Sequence, residues 1–339
     1  EISMGGTVEK CPAFSRDGNQ LWFLSDGRIA AHDRRTGKTR EAVLLPPGFE
    51  AVDALPLSMG CLFTCRKEIR EEAPEGCDWE MPHVAEDLRF RKDEDHGFAK
   101  KYTYRLYRSD GSLRLLAEAE KPFRSLALLP DESAALFAHD GFKLLNLASG
   151  ESRDIETAFA PDGDYRPALS PDGRYALVAA RTEGMELIPR RVWLDGQAHE
   201  PDETEREPAG LTEGAYMDAS PERKTLIAPG KEENVFYVAA HENHEPGLWR
   251  LTITGNRLSY ENMGIDGLIT ETAGENGQGV AILYGTSTRP PAPACWEKGK
   301  GLFVHADWND WISDRDVGTF FSSFFTSFSS SFFSSFFSS

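Results

Sequence analysis

The stretch Arg166-Pro167-Ala168-Leu169, Ser170-Pro171-Asp172-Gly173, Tyr175-Ala176-Leu177-Val178 decides the fold. Two short apolar runs flank a turn with complete chemistry. Pro171 presets φ at the second turn position, Ser170 and Asp172 bond the local backbone, and Gly173 accepts a positive φ. The segment therefore reads as a β-hairpin. The plan recurs at Cys11-Pro12-Ala13-Phe14, Ser15-Arg16-Asp17-Gly18 and Gln20-Leu21-Trp22-Phe23-Leu24. Two degenerate copies turn at Leu129-Pro130-Asp131-Glu132 and at Ser220-Pro221-Glu222-Arg223. Beyond most hairpins lies a third strand ending in a polar turn, as in Arg28-Ile29-Ala30-Ala31-His32-Asp33, Phe142-Lys143-Leu144-Leu145-Asn146-Leu147, Arg191-Val192-Trp193-Leu194 and Gly247-Leu248-Trp249-Arg250-Leu251.

Pro130 and Pro171 are 41 residues apart, and Pro171 and Pro221 are 50 apart. That is the repeat length of a four-stranded propeller blade. A β-sandwich would not repeat its turn chemistry at this spacing. Six units are legible, beginning near residues 7, 50, 122, 164, 214 and 267, and radial packing predicts that Trp22, Phe137, Val178 and Trp193 lie between sheets. The second unit is swollen by the charged segment 66–101, a length uncommon for a loop without a function. In the fifth, residues 234–239 add a strand assignable to a seventh blade. Residues 319–339 hold nine of the 21 Phe in a Phe/Ser run of low complexity, outside the fold.

The 339 residues include 37 basic and 55 acidic ones, a net charge of −18. Such a chain buries a proper core in one large or two ordinary domains. Scattered basic residues argue against nucleic acid, which needs clustered Lys and Arg. No run reaches the ~18 apolar residues of a membrane-spanning helix, so no membrane anchor and no secretion signal are expected. The five cysteines, Cys11, Cys61, Cys65, Cys77 and Cys295, are odd in number and irregular in spacing. They read as free thiols in a reducing, cytoplasmic setting. Alternation places Cys61, Phe63 and Cys65 on one face of a strand.

No catalytic constellation emerges. A hydrolase elbow needs Gly-x-Ser-x-Gly, and Ser287 in Gly285-Thr286-Ser287-Thr288-Arg289 lacks the second Gly. His241-Glu242-Asn243-His244-Glu245 spaces its His three apart, where a zinc helix needs four, and reads as a solvated hairpin tip. No phosphate loop, cofactor or metal site is predicted; 274–279 reads as a tight turn.

The sequence resembles the propeller domain of prolyl oligopeptidase (S9) family serine peptidases, in the acylaminoacyl-peptidase-like branch. The resemblance rests on three ordered elements: Ser170-Pro171-Asp172-Gly173-Arg174-Tyr175-Ala176 with Val192-Trp193-Leu194; Asp87-Leu88-Arg89-Phe90-Arg91 with Asp95-His96-Gly97-Phe98; and 280–291. It implies an all-β propeller of four-stranded blades over 5–300, seven-bladed by analogy, then a remnant or linker at 301–318. In that family the propeller is a cap, and a following α/β-hydrolase domain holds Ser, Asp and His. Only 43 residues follow Trp296. The expected role is therefore a non-catalytic, substrate-gating cap in a truncated or split form, inactive alone. Its implied partners are an α/β-hydrolase domain, in cis or in trans, and a peptide substrate. The alternative is a free-standing propeller that binds a protein or peptide. Arg89 and Arg91 are the candidate interface residues. If the segment is extended, both guanidinium forks fall on one side and suit a carboxylate.

Overall fold

The computed structural model describes residues 10–15, 17–69, 101–157, 159, 165–182, 186–197, 199–212, 225–242, 245–265, 267–276, 279–286 and 289–304. Among them there is no helix, and six antiparallel-based sheets form the blades of a β-propeller. The chain divides into two compact units, Glu1–Pro201 with Tyr216–Thr225, and Asp202–Ala215 with Leu226–Ser339.

The first unit contains four blades. The first comprises β1 (Lys10–Phe14), β2 (Gln20–Ser25), β3 (Arg28–Asp33) and β4 (Lys38–Val43). The second comprises β5 (Glu50–Pro56), β6 (Cys61–Glu68), β7 (Tyr102–Ser109) and β8 (Leu113–Ala119). In the third are β9 (Arg124–Leu128), β10 (Ala134–Ala138), β11 (Phe142–Asn146) and β12 (Ser152–Ile155). The fourth has three strands instead of four, β13 (Ala168–Leu169), β14 (Tyr175–Arg181) and β15 (Leu187–Trp193). Contacts run β1 to β5, β5 to β9 and β9 to β13, so the first strands form the inner row.

In the second unit one six-stranded sheet gathers β16 (Glu203–Glu205), β17 (Gly210–Leu211), β18 (Ile227–Pro229), β19 (Val235–Glu242), β20 (Glu245–Thr254) and β21 (Arg257–Asn262). The last sheet is β22 (Leu268–Asn276), β23 (Gly279–Thr286), β24 (Arg289–Glu297) and β25 (Gly301–Val304). The strand at 234–239 is not a seventh blade. As β19 it lies inside the fifth sheet, paired with β20 over eight residues and with β17 and β18 on its other side. No seventh sheet occurs among the described residues. Residues 203–205, which follow the fourth blade, pair in parallel with β21, where Glu205 meets Arg257; this accounts for the fourth blade's short strand count.

The repeated turns share one geometry. Ser15 Oγ donates to Asp17 Oδ1 at 2.6 Å and accepts from Gln20 N at 2.9 Å. Ser170 Oγ repeats both bonds with Asp172 (2.7 Å) and Tyr175 N (3.1 Å). Gly18 and Gly173 stand at φ +67° and +71°, each N–H bonded to the Ser carbonyl. In the degenerate third copy Glu132 occupies the glycine place at φ +58°. Its side chain holds it there: the carboxylate accepts from Ser58 N (3.0 and 2.9 Å) and Ser58 Oγ (2.7 Å) in the preceding blade. The fourth copy, 216–223, lies outside the described residues.

Alternation splits the middle strands between two cores. On β6, Cys61, Phe63 and Cys65 pack with Trp22, Leu24, Ile29 and Ala31 of the first blade. Leu62, on the opposite face, joins Leu126, Phe137 and Leu145 of the third. Leu136 and Ala138 then pack with Ala176, Val178 and Val192 of the fourth. Trp22, Phe137 and Val178 are buried as expected. Trp193 is only half-buried, because alternation points Val192 to that core and the indole away from it. There His199 stacks on the ring at 3.8 Å, and the Arg191 guanidinium lies 4.5 Å from its centroid.

The Glu132 geometry sets two variants apart. Glu132→Ala, which loses the Ser58 bonds and keeps the strained φ, should lower stability by about 1–2 kcal/mol. Glu132→Gly loses the same bonds but relieves the backbone and should recover about 1 kcal/mol of that, read as the difference between urea-unfolding midpoints.

Candidate functional site

The base of the 66–101 excursion is well formed. β6 extends to Glu68, which pairs with Tyr102, and Ile69 N donates to Lys101 O at 2.8 Å. Arg89 and Arg91 lie outside the described residues, as does Ser287. His241 pairs with Pro246 and Glu242 with Glu245, so the described part of the His241 segment belongs to paired strands; His244 lies outside the described residues. Among the described residues no three His, Cys, Asp or Glu side chains converge as a metal site would require. Cys61, Cys65 and Cys295 are free and buried. Burial pushes the Cys65 thiol up to about 12 and raises Cys61 further, so neither is a reactive thiolate at neutral pH.

Two arrangements in the first unit bring together residues that sequence spacing kept apart. On the inner row, Asp53 of β5 is 1% exposed and receives Arg166 Nη2 at 3.2 Å, with Ala54 N donating to the same oxygen at 2.9 Å. Arg166 lies two residues before β13, so the ion pair reaches past the third blade. Alongside it, Ser125 Oγ donates to Tyr165 O at 2.9 Å, with Ser125 held at φ +53°. The inner ends of three successive blades are thus tied by polar bonds.

The second arrangement is a cleft of about 880 Å³ between the first and second blades. The β1–β2, β5–β6 and β7–β8 turns line it together with the second half of β4. Asp17, Trp22, Arg40, Leu44, Leu57 and Leu113 are its principal walls. The volume lies in the range of small-ligand sites. Trp22 is 8% exposed, and its Nε1 has no hydrogen-bond partner; a buried donor left this way costs about 1–3 kcal/mol. Hydrogen bonds from the Ser15 hydroxyl and from Asn19 push the Asp17 carboxyl down to about 2. Sequence reasoning used Asp17 only as a turn residue and left Arg40 aside, since nothing in Lys38-Thr39-Arg40-Glu41 distinguishes it from an edge-strand charge. The β6–β7 excursion leaves the second blade at the end opposite the β5–β6 and β7–β8 turns, because successive strands of the meander alternate direction.

No protein-family model matches the chain, and no curated protein matches it either. Solved structures do. An acylaminoacyl peptidase from Pyrococcus horikoshii aligns at 15% identity over 91% of this chain and 47% of its own, with a TM-score of 0.56. The oligogalacturonate lyase of Vibrio parahaemolyticus aligns at 15% identity over 82% of this chain and 74% of its own, with a TM-score of 0.54. Dipeptidyl peptidase 4 of Porphyromonas gingivalis aligns at 12% identity over 93% and 47%, with a TM-score of 0.50. The fold is the propeller common to these proteins. The chain spans under half the length of the two peptidases.

Two predictions follow from this geometry. Asp53→Asn and Arg166→Met each strand one member of a buried ion pair and should cost about 3 kcal/mol apiece. The double variant should cost less than the sum, measured as a coupling energy in a double-mutant cycle. The Asp17 carboxyl is depressed from an unfolded value of about 3.9, so its contribution is complete above about pH 4 and fades as pH falls toward about 2. Asp17→Asn should therefore flatten the fall of melting temperature with pH across that window.

Proposed function

We propose that this propeller is the non-catalytic, substrate-gating cap of a prolyl-oligopeptidase-like serine peptidase, acting with an α/β-hydrolase domain in cis or in trans. The reading is carried by the alignment with the Pyrococcus acylaminoacyl peptidase, which covers nearly all of this chain and about half of that one. The inner row supports it physically. A cap restricts entry only if its blades hold their spacing, and the Asp53–Arg166 pair and the Ser125–Tyr165 bond tie three blades where a passage would narrow. In this reading the 66–101 excursion faces the hydrolase domain, and Arg89 and Arg91 offer planar donors to its carboxylates. The chain contributes no nucleophile and hydrolyses nothing alone, and it works in the cytoplasm on peptides short or unfolded enough to enter.

The second reading is a free-standing binding propeller. Its free-standing character, though not its binding role, draws support from the Vibrio lyase, whose own length is covered to 74%.

The purified chain should give no labelling with a fluorophosphonate and no turnover of acyl-peptide substrates. Mixed with a cognate hydrolase domain it should bind, and Arg89→Ala with Arg91→Ala should weaken that docking about tenfold, a loss of about 1.4 kcal/mol. Labelling of the chain alone, or docking indifferent to both substitutions, overturns the assignment; binding of folded proteins or peptides with no hydrolase partner favours the second reading.

A further inference from the structure

The cleft between the first two blades carries two opposite charges that the fold leaves unpaired. Asp17 is an anion held in place by Ser15 and Asn19, and it forms no salt bridge. Arg40, on the outer strand β4, has no hydrogen bond or ion pair among the described residues. Of the other exposed guanidinium groups in this unit, Arg66 meets Glu50 at 2.6 Å and Arg114 donates to Ala148 and Ser149 carbonyls at 2.7 and 2.9 Å, whereas Arg28, outside the cleft, is as open as Arg40.

The same cleft collects exposed bulk. Leu44 is 77% exposed and Leu113 41%. Single exposed apolar residues are ordinary, but a group of them around a cavity marks a contact surface. The Trp22 indole, 8% exposed, also lines it. Serines at positions 15, 58, 109 and 112 add hydroxyls along the walls.

We propose that this cleft binds a short linear peptide with both termini free and a bulky aliphatic side chain. The ammonium group goes to Asp17, the terminal carboxylate to Arg40, and the side chain to Leu44, Leu57 and Leu113. The charges select among ligands of this size. A fatty carboxylate would satisfy Arg40 but set its tail against the Asp17 anion and the serines. A neutral sugar would match the hydroxyls and leave both charges and the exposed leucines unanswered. Only a zwitterion with an apolar group meets all three features, and its neutrality overall avoids repulsion from a chain of net charge −18. The inference does not rest on the hydrolase partnership, and the turns lining the cleft lie at the other end of the second blade from the excursion assigned to that partner.

Calorimetric titration of the full 339-residue chain with tri-leucine tests the site directly. Tri-leucine should bind saturably, and tri-glycine, tri-leucine amide and N-acetyl-tri-leucine should each bind about tenfold more weakly, the loss of about one charge-assisted or apolar contact. Arg40→Gln should reproduce the amide effect and be insensitive to amidation; Asp17→Asn should reproduce the acetyl effect and be insensitive to acetylation. The blocked peptides test the charges on the unaltered protein, so the result stands even if a variant folds poorly. No saturable heat at millimolar tri-leucine, equal affinity for the blocked peptides, or decanoate binding more tightly than tri-leucine would overturn the proposal.

Discussion

Burial on both faces of the middle strands is the constraint on which the other features depend. A sheet exposed on one side can alternate apolar with polar residues, but β10 is buried at all five positions and β14 at six of seven. Each blade therefore has no stable existence apart from its neighbours: Leu136 belongs to one core and Phe137 to the next, one residue further along. A slip of one residue in register would exchange every side chain between two differently shaped interfaces. Residues such as Phe63, stacked on Tyr107 at 5.5 Å, then fix which neighbour each face accepts.

Apolar burial is non-directional, and the polar bonds between blades supply the direction. In successive pairs of blades an arginine near the outer edge of one reaches carbonyls at the end of the third strand of the next. Arg108 donates to Leu147 O at 3.1 Å, Arg114 takes Ala148 and Ser149, and Arg153 donates to Leu194 O. The planar fork suits this task, since it binds carbonyls that a strand end leaves unsatisfied. Glu132 accepting from Ser58 does the same at the inner turn, at the cost of a positive φ. Outer clamps and inner ties together hold the angle between sheets that apolar contact leaves free.

The junction of the first two blades departs from this scheme. Trp22 and Phe63 fill its inner part, but toward the turns the sheets separate and leave a cleft with Arg40 on one wall instead of a clamp. Leu44 and Leu113 keep apolar surface in water there, and Asp17 and Arg40 form no salt bridge. These are the groups to which the proposed peptide is assigned.

The hairpins, the blade spacing and the division into six units were legible because turn chemistry is local: Ser, Asp and Gly act within four residues, whatever surrounds them. Alternation likewise revealed the shared face of Cys61, Phe63 and Cys65. It did not reveal that Trp193 faces away from the core that Val192 enters, because period two says that neighbours differ and not which side is buried. The strand at 234–239 belongs to the fifth sheet for a related reason: sequence shows a strand, while only pairing with β17, β18 and β20 shows its sheet. The Asp53–Arg166 bond joins residues 113 apart, and the cleft gathers Asp17, Arg40 and Leu113 from three separate strands or turns. No pattern along the chain encodes such meetings. The sequence determined the repeat, its turns and its strands; the packing of blade on blade decided which charges are tied and which remain available.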